Sequence, residues 1–434
     1  MNIMNNLPLA FRADDLGILF AVLTVIIYLA AGVFSFDYMK HAKHKVSYQI
    51  FYLVAFSVQI LLCFAANLVT YYLLFELLTL SSMPFVIHER TRESVMAALK
   101  YLFFSMFGAY SALFGIFVLS KTADSLEFVP GGSISIDTFA GNKDLLLVAA
   151  IALIIGFGVK AGMFPMHSWL PTAHPVAPAP ASAVLSAVIV KAGVLGIIRS
   201  IFYVLGYNLL KGTIVQQVWL VLSLLTVFMG SMLAYREPVL KKRLAYSTVS
   251  QVSYILFGLA IGSAESMTGS LLHVMGHGFI KATLFLVAGA IIHYTGATRV
   301  EDMRGIGGRM PVTMWCYTIA SLGLIGIPPT GGFVSKWYLA MGALNSFVPV
   351  FSWLGPVILL ISALLTAGYL LELVVIGFFP GKEFVQSNPL AVKRDEPGLL
   401  VVIPLLILTV LSVLMGLFPN PLIEYINGIV SKLI

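Results

Sequence analysis

Charge is what this sequence has least of. Only 10% of its 434 residues are Asp, Glu, Lys or Arg, while 59% are hydrophobic. A water-soluble domain carries about 25% charged residues, so this chain cannot cover a water-facing surface. Lipid removes that requirement, and lipid admits only helices or closed barrels. The apolar segments run without alternation for roughly 17–25 residues, the length of a spanning helix. Barrel strands are shorter and alternate. Cysteine is scarce too: Cys63 and Cys316 both lie in apolar stretches. An iron–sulfur cluster takes about four thiolates, so two exclude that redox centre and leave redox chemistry to other chains. Residues 1–15 have no apolar core and include Arg12, Asp14 and Asp15, so they do not read as a signal peptide. A net charge of +7 points to nucleic acid in a soluble protein. Here the positive excess of cytoplasmic loops accounts for it, and no nucleic-acid partner is expected.

What is present is an all-α polytopic pattern. Twelve spans are expected. The first four are residues 16–36, 48–66, 68–87 and 95–119, and a fifth starts near 145 and runs into a proline-rich segment. Then follow 181–204, 218–234, 244–260, 271–293, a tenth over 312–343 broken at 326–332, 355–379, and 398–417 with a short amphipathic tail. The odd-numbered loops hold fifteen Lys and Arg and the opposite side six, Arg199 among them. The positive-inside rule then makes the odd loops cytoplasmic and puts both termini outside the cell membrane.

Four lysines remain inside spans: Lys160, Lys191, Lys281 and Lys336. A lysine at mid-bilayer costs about 2.5–3.5 kcal/mol, so four cost on the order of 10 kcal/mol before pairing. They must face a polar interior, pair with an acid, or exchange protons. Burial moves a lysine toward titration near neutrality, which arginine does not undergo. The bland alternative, snorkelling from a span end, suits one lysine better than four. Glu76, midway along the third span in LFELLTLSSMP, is the only acid deep in the first half. It reads either as a structural partner of a lysine or as a counter-ion whose approach holds Lys160 charged and whose departure releases the proton. His273, His277 and Lys281 recur every four residues, so they share one helix face. Two histidines and a lysine stacked in this way suit a proton wire. A metal site is not expected, because no acid or cysteine completes the ligand set. Glu372, near the end of its span, suits a loop ion pair and an ion path equally. His167 and His174, in the segment after the fifth span, are open to a proton-entry or an ordinary loop reading.

Two spans are interrupted. Prolines 165, 171, 175, 178 and 180 follow Lys160, and Pro328, Pro329, Gly331 and Gly332 precede Lys336. Irregular backbone at membrane depth survives only where protein or water satisfies it. Matching breaks in two halves mark an internal repeat with its ion site at the breaks. The breaks lie five spans apart, and an odd offset inverts topology. Residues 48–206 and 218–379 therefore read as two inverted five-helix repeats, each with a broken helix. They are flanked by a first span at 16–36 and a last span with its tail at 398–434.

At these residues the chain resembles the antiporter-like subunits shared by respiratory complex I, membrane-bound hydrogenases and Mrp-type cation/proton antiporters. The segments that carry the resemblance are LFELL around Glu76, GFGVKAGMFPMHSWLPTAHP around Lys160 and IVKAGVLGIIR around Lys191. KKRLAYSTVSQVSYI, HVMGHGFIKATLFL and GIPPTGGFVSKW continue it in the family's order, so it covers nearly the whole chain. The resemblance implies a switch pair, Glu76 with Lys160, and a connection between two half-channels at Lys191. It further implies proton carriage through His277 and Lys281 with His273 alongside, and an exit lysine at Lys336, a position the family fills with Lys or Glu. Two departures are that the family's two further leading spans and the lateral helix of some complex I members are not found in this sequence.

Three functions stay open at this point. The preferred one is a cofactor-free, ion-translocating subunit of a redox-driven complex, working with other membrane and peripheral subunits and lipids and moving protons, or protons against sodium. The second is an Mrp-type sodium/proton antiporter subunit with no redox partner. The third is a membrane scaffold whose lysines only pair with acids.

Overall fold

The computed structural model describes residues 9–388 and 393–434. The part of the leader reading that concerns residues 1–8 lies outside the described residues. Among the described residues the regular structure is helical. Five helices open it: α1 (Asp15–Tyr38), α2 (Lys45–Cys63), α3 (Leu68–Val86), α4 (Arg92–Thr122) and α5 (Ile136–Ala161). A short α6 (Leu170–Val176) leads into α7 (Ala179–Leu205). Next come α8 (Ile214–Arg236), α9 (Leu240–Ile261), α10 (Ala264–Thr295), the half-helices α11 (Pro311–Ile325) and α12 (Gly331–Leu344), then α13 (Pro349–Phe378) and α14 (Leu399–Leu417). The amphipathic tail forms α15 (Asn420–Val430).

Among the described residues, eleven helices are long and apolar enough to cross a membrane. The half-helices α11 and α12 are each shorter than that and follow one another across the break. The fifth span starts nine residues earlier than its hydropathy indicates, at Ile136, and bends at Asn142, where the backbone leaves helical geometry. The polar turns in IDTFAGNKD hide that start from a hydropathy reading. Local chemistry sets the helix ends. Asp14 caps α1, Thr91 caps α4 and Ser135 caps α5, each through its side-chain oxygen on a backbone N–H. Ser263 and Ser266 cap α10 reciprocally.

α7, α9 and α10 are almost wholly enclosed. The other helices pack round them and turn large apolar side chains outward, such as Leu29, Phe103 and Leu360, each more than half exposed. That inversion is what a lipid solvent selects. Both interrupted segments end their first half on a glycine in the left-handed region: Gly162 (φ 78°) after α5 and Gly326 (φ 93°) after α11. A side chain is strained in that conformation, so glycine closes each half-helix.

Three basic residues that the sequence reading counts toward the membrane faces are buried: Arg199, Lys241 and Arg243. Lys241 and Arg243 occupy the first turn of α9, at the face of the molecule that carries the basic loops. Arg199 lies within α7 and grips Asp14 bidentately at 2.5 and 2.7 Å. It also faces the rings of Phe128 and Tyr203 at 5.0 and 4.6 Å. This pair fastens the start of α1 to the central helix. Burial opposes the Asp14 charge, but the Arg199 hydrogen bonds and charge outweigh it, so the carboxyl titrates below its ordinary 3.8.

Breaking this pair leaves a buried guanidinium uncompensated, which costs about 3–5 kcal/mol. Asp14→Asn should therefore lower the Tm of the purified protein markedly. A lowered carboxyl pKa contributes stability that is complete above about pH 4 and is lost as the pH falls through the lowered value. Thermal unfolding between pH 3 and 6 should show that acid loss in the wild type and a flatter profile in Asp14→Asn.

Candidate functional site

The four intramembrane lysines occupy four different helices, and all four find uncharged partners. Lys160, in the last turn of α5, donates to Thr79 Oγ1 at 2.8 Å and to the Tyr101 hydroxyl at 2.6 Å. The rings of Tyr101 and Phe75 face its ammonium at 4.6 and 5.6 Å. Lys191 donates to the Ser186 carbonyl at 2.9 Å and meets His277 Nδ1 at 2.7 Å. Lys281 donates to the Leu244 carbonyl at 3.0 Å. Lys336 donates to the carbonyls of Leu324 and Ile325 at 2.6 and 3.0 Å.

Backbone irregularity supplies the acceptors of Lys336 and accompanies that of Lys191. Leu324 and Ile325 end the half-helix α11, and the last carbonyls of a helix lack intrahelical partners and carry partial negative charge. Ser186 lies in a π-helical turn, Leu185–Ile189, where the N–H of Val190 reaches back to Leu185. Such turns recur at functional sites. Gly193 lets α7 approach α5 beside Lys160; a Cβ there would sit 2.4 Å from the Phe157 carbonyl.

The histidines join the lysines into a line. His277 and His273 stack with ring centroids 5.7 Å apart. His273 Nδ1 lies 2.9 Å from Ser335 Oγ, on the residue before Lys336. The Tyr254 ring stacks on His273 at 5.6 Å and faces the Lys336 ammonium at 5.0 Å. Lys191 bonds His277, His277 stacks on His273, and Tyr254 lies against both His273 and Lys336, so the four residues form one series of contacts from α7 to α12. Lys281 attaches to it by a side branch. Leu244 O also accepts from Thr248 Oγ1 at 3.0 Å, Thr248 lies 2.7 Å from Ser186 Oγ, and Ser186 O accepts from Lys191. Nε2 of both His273 and His277 is buried with no protein partner.

The expected pairing of Glu76 with Lys160 is not made in this structure. Lys160 is held by hydroxyls instead, and Glu76 Oε1 is buried without a partner. Glu76 and Thr79 are three residues apart on α3, so both address the same side of that helix. Glu372 is not brought to the line either. Its side chain is 49% exposed and forms an ion pair with Arg243 at 2.7 Å. His167 is part-buried and stacks on Phe164 at 5.9 Å. His174 is fully buried. The sequence reading missed Thr79, Tyr101, Tyr254 and Ser335. Hydroxyl residues are common in such helices, and no spacing marks these four.

Fold and site together define a polytopic membrane protein with an intramembrane series of lysines and histidines. Residues 65–366 match the NADH:quinone oxidoreductase/Mrp antiporter transmembrane family, and the chain belongs to it. It is 31% identical over 414 residues to NADH-quinone oxidoreductase subunit N of Desulforudis audaxviator, covering 93% of this chain and 81% of that one. It is 28% identical over 432 residues to a Na(+)/H(+) antiporter subunit of Bacillus subtilis, covering 98% and 84%. Hydrogenase-4 component B of Escherichia coli is 31% identical over 346 residues, 76% of this chain but half the length of that protein. Two solved structures share the fold. A chain of the membrane-bound sulfane sulfur reductase, an archaeal respiratory membrane complex, aligns with TM-score 0.87 at 22% identity, covering 98% of this chain and 83% of that one. A chain of the Mrp complex from Dietzia sp. aligns with TM-score 0.85 at 20% identity, covering 98% and 84%. The chain is thus an antiporter-like membrane subunit, of a kind found in multi-subunit complexes.

Tyr101→Phe removes one of the two acceptors of Lys160 and should destabilise the protein by about 1–3 kcal/mol. Adding Lys160→Met removes the stranded charge as well. The double variant should recover most of that loss in chemical unfolding, a coupling of about 1 kcal/mol or more.

Proposed function

We propose that this chain is the ion-translocating subunit of a redox-driven membrane complex of the hydrogenase or complex I-like kind, and that it moves protons along Lys191, His277, His273 and Lys336. The observation that carries this reading is the partner set of the lysines. A carboxylate beside a lysine favours its charged form and holds the proton. Hydroxyls, carbonyls and imidazole satisfy the ammonium without a fixed counter-charge, so the proton can leave. The same observation counts against the scaffold reading, which requires acid partners.

Glu76 and Lys160 act as the switch in this proposal. Thr79 and Glu76 share a side of α3, so a short swing of the Lys160 side chain from the hydroxyl to the carboxylate would convert a releasing state into a holding one. Lys160 rests on the hydroxyls of Thr79 and Tyr101, which corresponds to the releasing state of this scheme. Electron transfer in partner subunits would drive the swing. Lys336, at the second break, hands protons to the outer side. Residues 48–206 and 218–379 serve as inverted repeats, a reading supported by the matching breaks, each closed by glycine and each beside a lysine. The basic loops face the cytoplasm, both termini face outward, and the chain sits in the cell membrane among other subunits and lipids. Glu372 anchors Arg243 and stays outside the path.

The similarity to the Bacillus subtilis Na(+)/H(+) antiporter protein over 98% of the chain favours a second reading, in which a sodium gradient replaces electron transfer as the driver. Reconstituting the intact complex in liposomes and following internal pH separates the two. Under the first reading, acidification requires an electron donor and slows at least about tenfold in Lys160→Ala, the low end of a proton-relay contribution. Proton movement driven by a sodium gradient alone would establish the second. Coupled pumping at the wild-type rate in Lys160→Ala would remove the switch role.

A further inference from the structure

We infer that a pocket on the basic-loop face, between the start of α2 and the end of α3, binds a phosphate group. The site lies apart from the proton line and stands whatever drives the protons.

The pocket has a volume of about 170 Å³. His44, Ser47 and Tyr48, at the start of α2, line one side, and His88 and Arg90, in the turn after α3, line the other. Among the described residues no Asp or Glu lines it. Glu89 stands between His88 and Arg90 in the chain but lines a separate cavity, with Tyr38 and Lys241. Two of the lining side chains are buried and short of partners. His88 is 7% exposed; its ring meets the Lys43 backbone and no other hydrogen-bonding group of the described residues. Tyr48 is 2% exposed, its hydroxyl has no partner, and its ring stands edge-on to that of His88 at 5.6 Å. The Ser47 hydroxyl and the Arg90 guanidinium form no hydrogen bond with the described residues either. α2 adds its own donors. His44 holds the N-cap position without a side-chain bond, so the first amides of the helix have no acceptor and carry partial positive charge.

The backbone is held for these side chains. Among the described residues, His44 (φ 62°) and Arg90 (φ 53°) are the two non-glycine residues in the left-handed region, and both line this pocket. Glycine or asparagine would close either turn at less cost. The chain keeps an imidazole and a guanidinium there instead. Burial, together with the neighbouring His44 and Arg90, holds the His88 imidazole below its ordinary 6.5 against the pull of Glu89. The pocket is thus rich in donors and poor in negative charge, which calls for an oxyanion. A carboxylate offers two oxygens. Arg90, His88, Ser47 and the free amides of α2 supply more donors than that, and a phosphate group, with at least three acceptor oxygens, matches them. Phe51 and Pro84, deeper along α2 and α3, give the pocket an apolar floor. Lys40, Lys43 and Lys45 stand exposed close by in the chain. Basic clusters at a membrane face attract anionic lipids, so a phospholipid headgroup is the favoured source of the phosphate and a free phosphate ion the other.

The test titrates the intact complex, delipidated in detergent, and reads amide hydrogen exchange over residues 44–51 and 84–91, at the site itself. The probes are short-chain phosphatidylglycerol, diacylglycerol of the same chains, and inorganic phosphate. Phosphatidylglycerol should slow exchange there, and diacylglycerol, which lacks the phosphate, should not. A half-saturating concentration at least about tenfold lower for the lipid than for inorganic phosphate marks the headgroup as the source; equal concentrations mark free phosphate. Arg90→Gly suits the left-handed turn and removes only the guanidinium. It should keep the Tm of the ligand-free complex and raise the half-saturating concentration at least about tenfold, the loss of one hydrogen bond to a charged group. Should that variant fail to assemble, His44→Gly replaces it by the same logic. Diacylglycerol binding as tightly as phosphatidylglycerol, or equal binding by wild type and the glycine variant, overturns the site. So does the absence of protection by any probe, which includes the case of a pocket already filled by an acidic group of a partner subunit.

Discussion

An ammonium group placed in hydrocarbon must find oxygen or nitrogen acceptors, and lipid supplies none. That constraint organises this molecule. Lys160, Lys191, Lys281 and Lys336 all require acceptors deep in the bundle, where the carbonyls of a regular helix are already engaged by backbone N–H groups, and only Lys281 shares such a carbonyl, that of Leu244. The chain meets the demand by breaking regularity beside two of them and loosening it beside a third. The end of α11 presents two carbonyls to Lys336. The π-turn in α7 accompanies the Ser186 carbonyl that receives Lys191. Lys160 sits two residues before the glycine that closes α5 and takes hydroxyls from α3 and α4. The irregular backbone and the buried charge explain each other.

The choice of partners then separates arginine from lysine. Carboxylates are available: Asp14 and Glu372 both form ion pairs with buried arginines. Arginine stays charged whatever surrounds it, so those pairs are fixed fasteners, one at the start of α1 and one between α9 and α13. The lysines are given neutral partners. The chain thus uses its two kinds of cation differently, arginine with acid to hold helices together and lysine with hydroxyl, carbonyl or imidazole along the interior line.

Much of this was legible in the chain itself. Low charge and long apolar runs required spanning helices, and eleven helices among the described residues have the length and composition for it. Proline and glycine clusters marked both breaks, because they act through local backbone geometry. The four lysines, the His273–His277 register and Glu76 stood out because a charged or titratable residue in an apolar run has a cost that composition reveals. Arg199, inside the expected span 181–204, counts toward the outer side in the sequence, and its burial could not be read there because its partner Asp14 is 185 positions away.

The amino-acid sequence by itself determined the class of solvent, where the helices break and which titratable residues lie inside the apolar runs. Those properties depend on neighbours a few positions apart. Only the tertiary structure decided who holds whom: that Lys160 rests on Thr79 and Tyr101 rather than on Glu76, that Lys191 meets His277, that Ser335 and Tyr254 join His273 to Lys336, and that Glu372 stays at the periphery. These pairings join helices far apart in the chain. A hydroxyl or carbonyl acceptor carries no mark in the sequence until packing brings it within about 3 Å of its donor.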